Sequence, residues 1–214
     1  MGTLGCRGGP RTDVTRSNRV TVLLTGFEPF EGQSVNASWL AVEAVAADWS
    51  GPPLHVRRLP VSFAAAPVAL LVALEETCPD LVVCVGEAGE RAALEIERVA
   101  INVADARIPD NDGARPVDEA VVPDGPVAHL TGLPLRRCVD AATRAGVPAA
   151  ASNTAGTFVC NAVFYTLAQA MAGTAARYGF VHVPRAPEQV PTGGMATSLA
   201  ARGLTAVLDA CLLA

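Results

Sequence analysis

Charged side chains are scarce in this chain of 214 residues, since Asp, Glu, Lys and Arg make up only 17% of it. The net charge is −5 and the basic residues form no stripe, so nucleic acid is not an expected partner. A surface with so few charges is often partly buried between subunits, which favours a homo-oligomer. The length suits one α/β domain with a good-sized core.

A long, uninterrupted apolar run is also missing. The longest runs, at 64–74 and 199–214, are broken by Pro, Arg or Asp, so no membrane-spanning segment is expected. Residues 1–18 are rich in Gly, Arg, Thr and Ser and have no apolar centre, unlike a secretory signal. We therefore expect a disordered extension at 1–18, followed by a single domain at 19–214.

The cysteines lack any metal-binding pattern. There is no C-x-x-C spacing and no cluster of histidines beside them, so zinc is not expected, and without an export signal neither is a disulfide framework. The ordinary role of such a cysteine is that of a small core hydrophobe, which we expect for most of the six. They are Cys6, Cys78, Cys84, Cys138, Cys160 and Cys211.

What the chain does have is an alternation of short apolar runs and longer helical segments. Strands are predicted at about 20–25, 54–59, 81–85, 94–103, 148–152 and 179–183. Helices are predicted at about 36–47, 62–76, 135–145, 158–171 and 195–213, with Asn36 or Ser38 capping the first. Residues 104–126, rich in Asp, Pro, Asn and Gly, predict an ordered loop. This order is typical of an α/β fold with a mostly parallel sheet and helices on both faces.

Ligands of α/β sheets bind beyond the carboxyl ends of the strands, which directs attention to four loops. These follow Thr25, Val85, Ser152 and Val183. Cys160 comes shortly after the third of them, in the first turn of a predicted helix. Free N–H groups and positive potential at that position favour a thiolate and can hold an oxyanion. Position alone, however, favours packing of Cys160 against the sheet over a catalytic role.

A cysteine nucleophile needs an imidazole within reach and a third group that orients the imidazole. Of the three histidines, His55 lies inside a strand and His129 in a loop, whereas His182 lies near the end of a strand. Only His182 is expected at the same sheet edge as the helix that carries Cys160, although a buried histidine in a strand is more often structural.

Glu97 is the candidate third group, because it lies in the apolar stretch L-E-I-E-R-V-A-I-N, where a carboxylate is expensive to bury without a partner. Strand alternation puts Glu95 and Glu97 on one face. An ion pair of Glu97 with Arg91 or Arg98 is an equally good interpretation of the spacing.

Five blocks, in order, resemble the pyroglutamyl peptidase I family. They are T-G-F-E-P-F at 25–30, E-R-V-A-I-N at 97–102, D-A-R-I-P-D-N at 105–111, S-N-T-A-G-T-F-V-C-N at 152–161, and G-F-V-H-V-P at 179–184 followed by P-E-Q at 187–189. The resemblance implies a cysteine peptidase that removes an N-terminal pyroglutamyl residue through the triad Glu97, Cys160 and His182. It also implies a three-layer α/β/α sandwich, related to phosphorylases and hydrolases, and a cytoplasmic homotetramer without metal or cofactor.

The resemblance further implies a substrate pocket formed by Phe27, Phe30, Glu87 and Val159. A pyroglutamyl lactam is small, flat and uncharged, so aromatic walls can select it, whereas the charged amine of an ordinary N-terminus would be desolvated at high cost. The chain departs from the family pattern around this pocket. Glu31 and Glu90 stand where glycine is usual, Glu87 where glutamine is common and Arg185 where an aromatic residue is common.

Two other functions fit the same pattern of strands and helices. One is a nucleoside phosphorylase-like enzyme, which would need a phosphate site and a purine pocket. The other is a non-catalytic binding protein whose altered pocket rim no longer accepts the lactam.

Overall fold

The computed structural model of the chain describes residues 20–213, so the extension predicted at 1–18 lies outside the described part. The strands are β1 (Val22–Phe27), β2 (Leu54–Leu59), β3 (Leu81–Glu87), β4 (Leu94–Glu97), β5 (Val99–Ile101), β6 (Ala128–Leu130), β7 (Ala149–Ser152) and β8 (Arg177–Val183). The helices are α1 (Ala37–Asp48), α2 (Ala65–Thr77), α3 (Leu135–Arg144), α4 (Val159–Met171) and α5 (Thr197–Leu212), with a short 3-10 helix at Pro187–Gln189.

Six of the strands form one sheet in the order β2-β1-β3-β8-β4-β7, and β5 pairs with β6 in a second, two-stranded sheet. Every pairing in the large sheet is parallel except that of β4 with β8, where Glu95 lies opposite His182. The predicted α/β fold with a mostly parallel sheet is therefore confirmed. The reversal of β4 follows from its connection to β3, because residues 88–93 are too few for a crossover to a parallel strand.

This reversal corrects one expectation. Because β7 is parallel to β4, it runs opposite to β8, and its carboxyl end points away from that of β8. The turn after Ser152 is therefore not at the same sheet edge as the loop after Val183. The segment that follows the turn, up to α4, carries the chain back to that edge.

Helices cover both faces of the large sheet, as expected for a three-layer sandwich. Helices α1, α3 and α5 pack on one face together with Val22 and Leu24, and α2 and α4 pack on the other together with Leu23. Strands covered on both faces are buried along their whole length, which explains the continuous apolar runs of β1 and β3. Cys84, Cys138 and Cys211 are buried in these cores as small hydrophobic residues, whereas Cys78 and Cys160 are half-buried and Cys6 lies outside the described residues.

Local interactions explain where several elements begin and end. The predicted cap Asn36 accepts the N–H of Ser38 at the start of α1. The single strand predicted at 94–103 is wrong, because Arg98 interrupts it and the chain leaves the large sheet to form β5.

Within residues 20–213 no helix is long and apolar enough to cross a bilayer. In the same part of the chain, no group of three or more His, Cys, Asp and Glu side chains could hold a metal ion.

Candidate active site

His182 and Glu97 lie on neighbouring strands of the large sheet, and their side chains are in direct contact. His182 is paired in register with Glu95, so Glu97, two residues further along β4, is its diagonal neighbour on the same face. His182 Nδ1 lies 2.8 Å from Glu97 Oε1. Glu97 is fully buried and His182 is 4% exposed. A carboxylate on Nδ1 fixes the orientation of the ring and leaves Nε2 to exchange a proton.

Arg91 gives the Glu97 carboxylate a second partner. Its Nη1 lies 2.8 Å from Glu97 Oε1 and also contacts Glu95, while its Nη2 donates to the carbonyl of Thr154 at 2.9 Å. The ion pair with Arg91 therefore exists alongside the contact with the imidazole, whereas Arg98 bonds elsewhere. Because Thr154 lies in the loop before α4, one guanidinium connects the buried carboxylate to the segment that leads to the cysteine.

Cys160 occupies the second position of α4 and lies against β3. Gly86 on β3 is paired in register with His182, and a Cβ atom on Gly86 would lie 2.9 Å from Cys160 Sγ and 2.8 Å from the ring of Phe180. Since real Cβ atoms do not approach so closely, a glycine at this position is what allows the sulfur to lie over the strand beside the histidine.

The environment of Cys160 keeps its thiol protonated. Burial, followed by the negative charges of Glu97 and Glu87, raises the pKa of the Cys160 thiol to about 12, and the charge of Arg91 opposes this only in part. The position of Cys160 at a helix N-terminus favours a thiolate, but burial and the neighbouring carboxylates outweigh that effect. A neighbouring base has to take the proton before the sulfur can act as a nucleophile.

A cavity of about 220 Å³ opens beside the sulfur. It is smaller than the roughly 300–1,000 Å³ typical of pockets for drug-sized ligands, so it suits a small group. Glu97 lies behind His182 and does not line it. All four residues predicted for the pocket line this cavity together with the cysteine and the histidine: Phe27, Phe30, Glu87, Val159, Cys160 and His182.

One wall of the cavity was not predicted. Phe158 lines it and packs edge-on against Phe63, with ring centroids 5.2 Å apart, and against Phe30 at 6.3 Å. Phe158 occupies the N-cap position of α4, where Ser, Thr, Asp or Asn is usual. A large aromatic residue at a helix start next to a candidate nucleophile is the signal that could have identified this wall.

Glu87 and Arg91 are the charged residues that line the cavity, and backbone and side-chain donors hold Glu87 in place. Its Oε2 accepts the N–H of Ala37 at 2.7 Å and the side-chain amide of Gln189 at 2.8 Å. Gln189 lies in the 3-10 helix at Pro187–Gln189, and the sequence pattern there does not predict a helix. Its role in holding Glu87 was also missed.

A cysteine and an imidazole that line one small cavity, with a buried carboxylate behind the imidazole, are the parts of a cysteine-dependent hydrolase. The chain belongs to the pyroglutamyl peptidase family, peptidase family C15, whose family model matches residues 20–212. The resemblance found in the five sequence blocks is thus confirmed.

Relatives of known name agree with this assignment. The chain is 50% identical over 195 residues to pyrrolidone-carboxylate peptidase of Pseudomonas fluorescens strain SBW25, covering 90% of this chain and 91% of the relative. It is 51% identical over 195 residues to the protein of the same name from Streptomyces coelicolor, covering 88% and 90%. The crystal structure of pyroglutamyl peptidase I from Bacillus amyloliquefaciens is 39% identical and superposes with a TM-score of 0.88, covering 92% and 96%. These relatives lend no support to a nucleoside phosphorylase.

Proposed function

We propose that the protein hydrolyses the bond after an N-terminal pyroglutamyl residue, with Cys160 as nucleophile, His182 as base and Glu97 as the group that orients His182. The observation that carries the proposal is the convergence of Cys160 and His182 on one small cavity, with Glu97 hydrogen-bonded behind the imidazole. Family membership supports the same reaction.

In the first step His182 takes the proton of the Cys160 thiol, which is too weak an acid to lose it unaided. The sulfur attacks the pyroglutamyl carbonyl carbon and forms a tetrahedral intermediate with a negatively charged oxygen. The N-cap residue Phe158 makes no capping hydrogen bond with its side chain, so backbone N–H groups of the first turn of α4 are available to stabilise that oxygen.

In the second step the His182 imidazolium gives its proton to the leaving amine, the C–N bond breaks and a thioester remains on Cys160. Water then attacks the thioester while His182 takes its proton, and a second tetrahedral intermediate collapses. Free pyroglutamate leaves, and the proton returns to the sulfur. Throughout, Glu97 holds the ring and stabilises its positive charge.

Recognition of the lactam follows from the cavity wall. Phe27 and Phe30 offer flat apolar surface to the ring, and Val159 closes the side next to the cysteine. The Glu87 carboxylate can only accept hydrogen bonds, so it is suited to the lactam N–H. The cavity continues outward into a wider groove through Phe30 and Phe158, which is where the peptide after the pyroglutamyl residue would lie.

Hydrolysis of pyroglutamyl-aminomethylcoumarin by the wild type and by Cys160→Ala tests the proposal. We expect turnover by the wild type and none by the variant, with unchanged circular dichroism. Turnover by Cys160→Ala at the wild-type rate would rule out the nucleophile. Binding of the substrate without turnover by the wild type would support the non-catalytic alternative instead.

We also propose a homotetramer in the cytoplasm. Val127 and Leu130, beside and within the small sheet, are 88% and 67% exposed, which favours burial against another subunit. Cys84, Cys138, Cys160 and Cys211 are present as free thiols, as is usual in a reducing compartment. Light scattering after size-exclusion chromatography tests the assembly, and a monomeric mass would contradict it.

A further inference from the structure

Glu31, Glu87 and Arg185 form one ionic cluster at the cavity rim. Arg185 Nε lies 3.4 Å from Glu87 Oε1, and Arg185 Nη2 lies 3.5 Å from Glu31 Oε2. These side chains come from three separate segments: the loop after β1, the end of β3 and the loop after β8. Two carboxylates from different segments thus face one cation.

Glu87 is the buried member of this cluster, with 1% of its side chain exposed against 29% for Arg185. Its Oε2 is already occupied by two donors, whereas Oε1 is buried and has no hydrogen-bond partner within residues 20–213. Arg185 Nε is likewise buried and without a hydrogen bond. The guanidinium lies against Gly89, where a Cβ would come within 2.7 Å of Nε. Arg185 is therefore held beside Glu87 by packing and charge.

A buried carboxylate without a counter-ion has two consequences. It costs free energy, and it attracts any cation that can enter the cavity. Within the described residues, Arg185 provides the only basic group in ion-pair contact with Glu87. The ligand that the cavity has to accept is a neutral lactam, while its most similar competitor is a five-membered ring carrying a protonated amine, as at an N-terminal proline.

The next inference rests on the proposed function. We propose that Arg185 is a specificity-determining residue that neutralises Glu87. The cavity then accepts the neutral pyroglutamyl ring and not a cationic prolyl ring of the same size. Glu87 then serves as an acceptor for the lactam N–H without acting as an anionic site. Arg185 does not touch the reacting atoms and acts through Glu87.

The test compares Arg185→Met with the wild type, using pyroglutamyl-aminomethylcoumarin as substrate and prolinamide as a cationic competitor. We expect KM for the substrate to rise about tenfold and the inhibition constant of prolinamide to fall about tenfold. The substrate would thus bind about tenfold more weakly and prolinamide about tenfold more tightly. We expect kcat to change much less, because the reacting groups stay in place. Arg185→Lys, which keeps the charge, should restore most of the selectivity. Arg185→Gln is the second neutral variant should Arg185→Met fold poorly.

Two further comparisons separate this role from a structural one. In a Glu87→Gln background there is no charge to neutralise, so adding Arg185→Met should leave KM and prolinamide inhibition close to those of Glu87→Gln alone. Arg57→Met removes an arginine from an exposed ion pair, with Glu76, that does not line the cavity, and should change neither constant.

The proposal is overturned if Arg185→Met weakens both ligands equally, or if its effect is the same with Glu87 and with Gln at that position. A wild-type protein that does not cleave the substrate would defeat the proposed function and not this inference. In that case the thermal shifts produced by 2-pyrrolidone and by prolinamide report the same selectivity. A preference for prolinamide that does not increase in Arg185→Met would again overturn the role of Arg185.

Discussion

The thiol of Cys160 leads to a quantitative prediction about His182. With a pKa raised to about 12, only about 3 in 10⁵ of such thiols are ionised at pH 7.5, against roughly 1 in 10 for an unperturbed cysteine. Fast reaction near neutral pH therefore requires a base that takes the proton. We expect His182→Asn, which removes that base and keeps a side chain of similar size, to slow alkylation of Cys160 by iodoacetamide about 10²- to 10³-fold at pH 7.5.

Alkylation is measured by peptide mass spectrometry over a series of pH values. Cys78, half-buried at the end of α2, is the reference thiol in the same sample. In His182→Asn the rate at Cys160 should rise about tenfold for each pH unit between 7 and 10, since the thiol titrates above that range. In the wild type the rate should vary much less with pH over this range, because His182 takes the proton of the sulfur as it reacts.

Equal alkylation rates in the two proteins would refute the reasoning. If both are slow, His182 does not accept the proton of the sulfur. If both are fast, the burial and negative charges around Cys160 do not control its acidity. Either result would leave the proposed first step without its base.

Three further substitutions test other parts of the structure. Glu97→Gln should lower kcat by about 10²- to 10⁴-fold and destabilise the fold by about 1–3 kcal/mol, because it removes the buried negative charge that Arg91 and His182 share. Glu95→Gln, on the same strand, should retain most of the activity, and similar losses in both variants would contradict the role of Glu97. Gly86→Ala should displace the sulfur, abolish most of the activity and lower the free energy of unfolding by about 1–3 kcal/mol. Gly203→Ala, at an equally crowded position in α5, is the control and should lower stability alone. Tyr165→Phe should lower the free energy of unfolding in urea by about 0.5–1.5 kcal/mol and leave kcat unchanged, because the buried hydroxyl donates to the Pro126 carbonyl at 2.6 Å. A loss of activity in this variant would link the small sheet to catalysis.

Much of the fold could be predicted because local patterns carry it. Strand β2 begins and ends at the predicted residues, and helix α4 begins one residue after its predicted start. The direction of β4 was not predicted, since the apolar pattern of a strand is the same in both directions. The break at Arg98 was missed for a similar reason: its β-branched neighbours continue the strand pattern into β5, and only the tertiary fold separates the two strands.

The candidate site was predictable where a residue's type and family pattern were informative. Cys160, His182 and the four residues predicted for the pocket all line one cavity. The partners of those residues could not be predicted, because their contacts join distant parts of the chain. Gln189 reaches a glutamate 102 residues earlier in the sequence, and no local pattern reports such a contact.

The position of β8 in the sheet has a consequence for how the molecule is made. Although β8 is the last strand in the chain, it lies in the middle of the sheet, between β3 and β4. Until it docks, β1 to β3 and the β4–β7 pair are two separate halves, each with an unprotected edge. The histidine on β8 and the carboxylate on β4 are 85 residues apart, so their contact forms only after this long-range closure. Activity should therefore appear on the ribosome only after β8 has emerged, and a nascent chain that stops before it exposes two strand edges that favour aggregation.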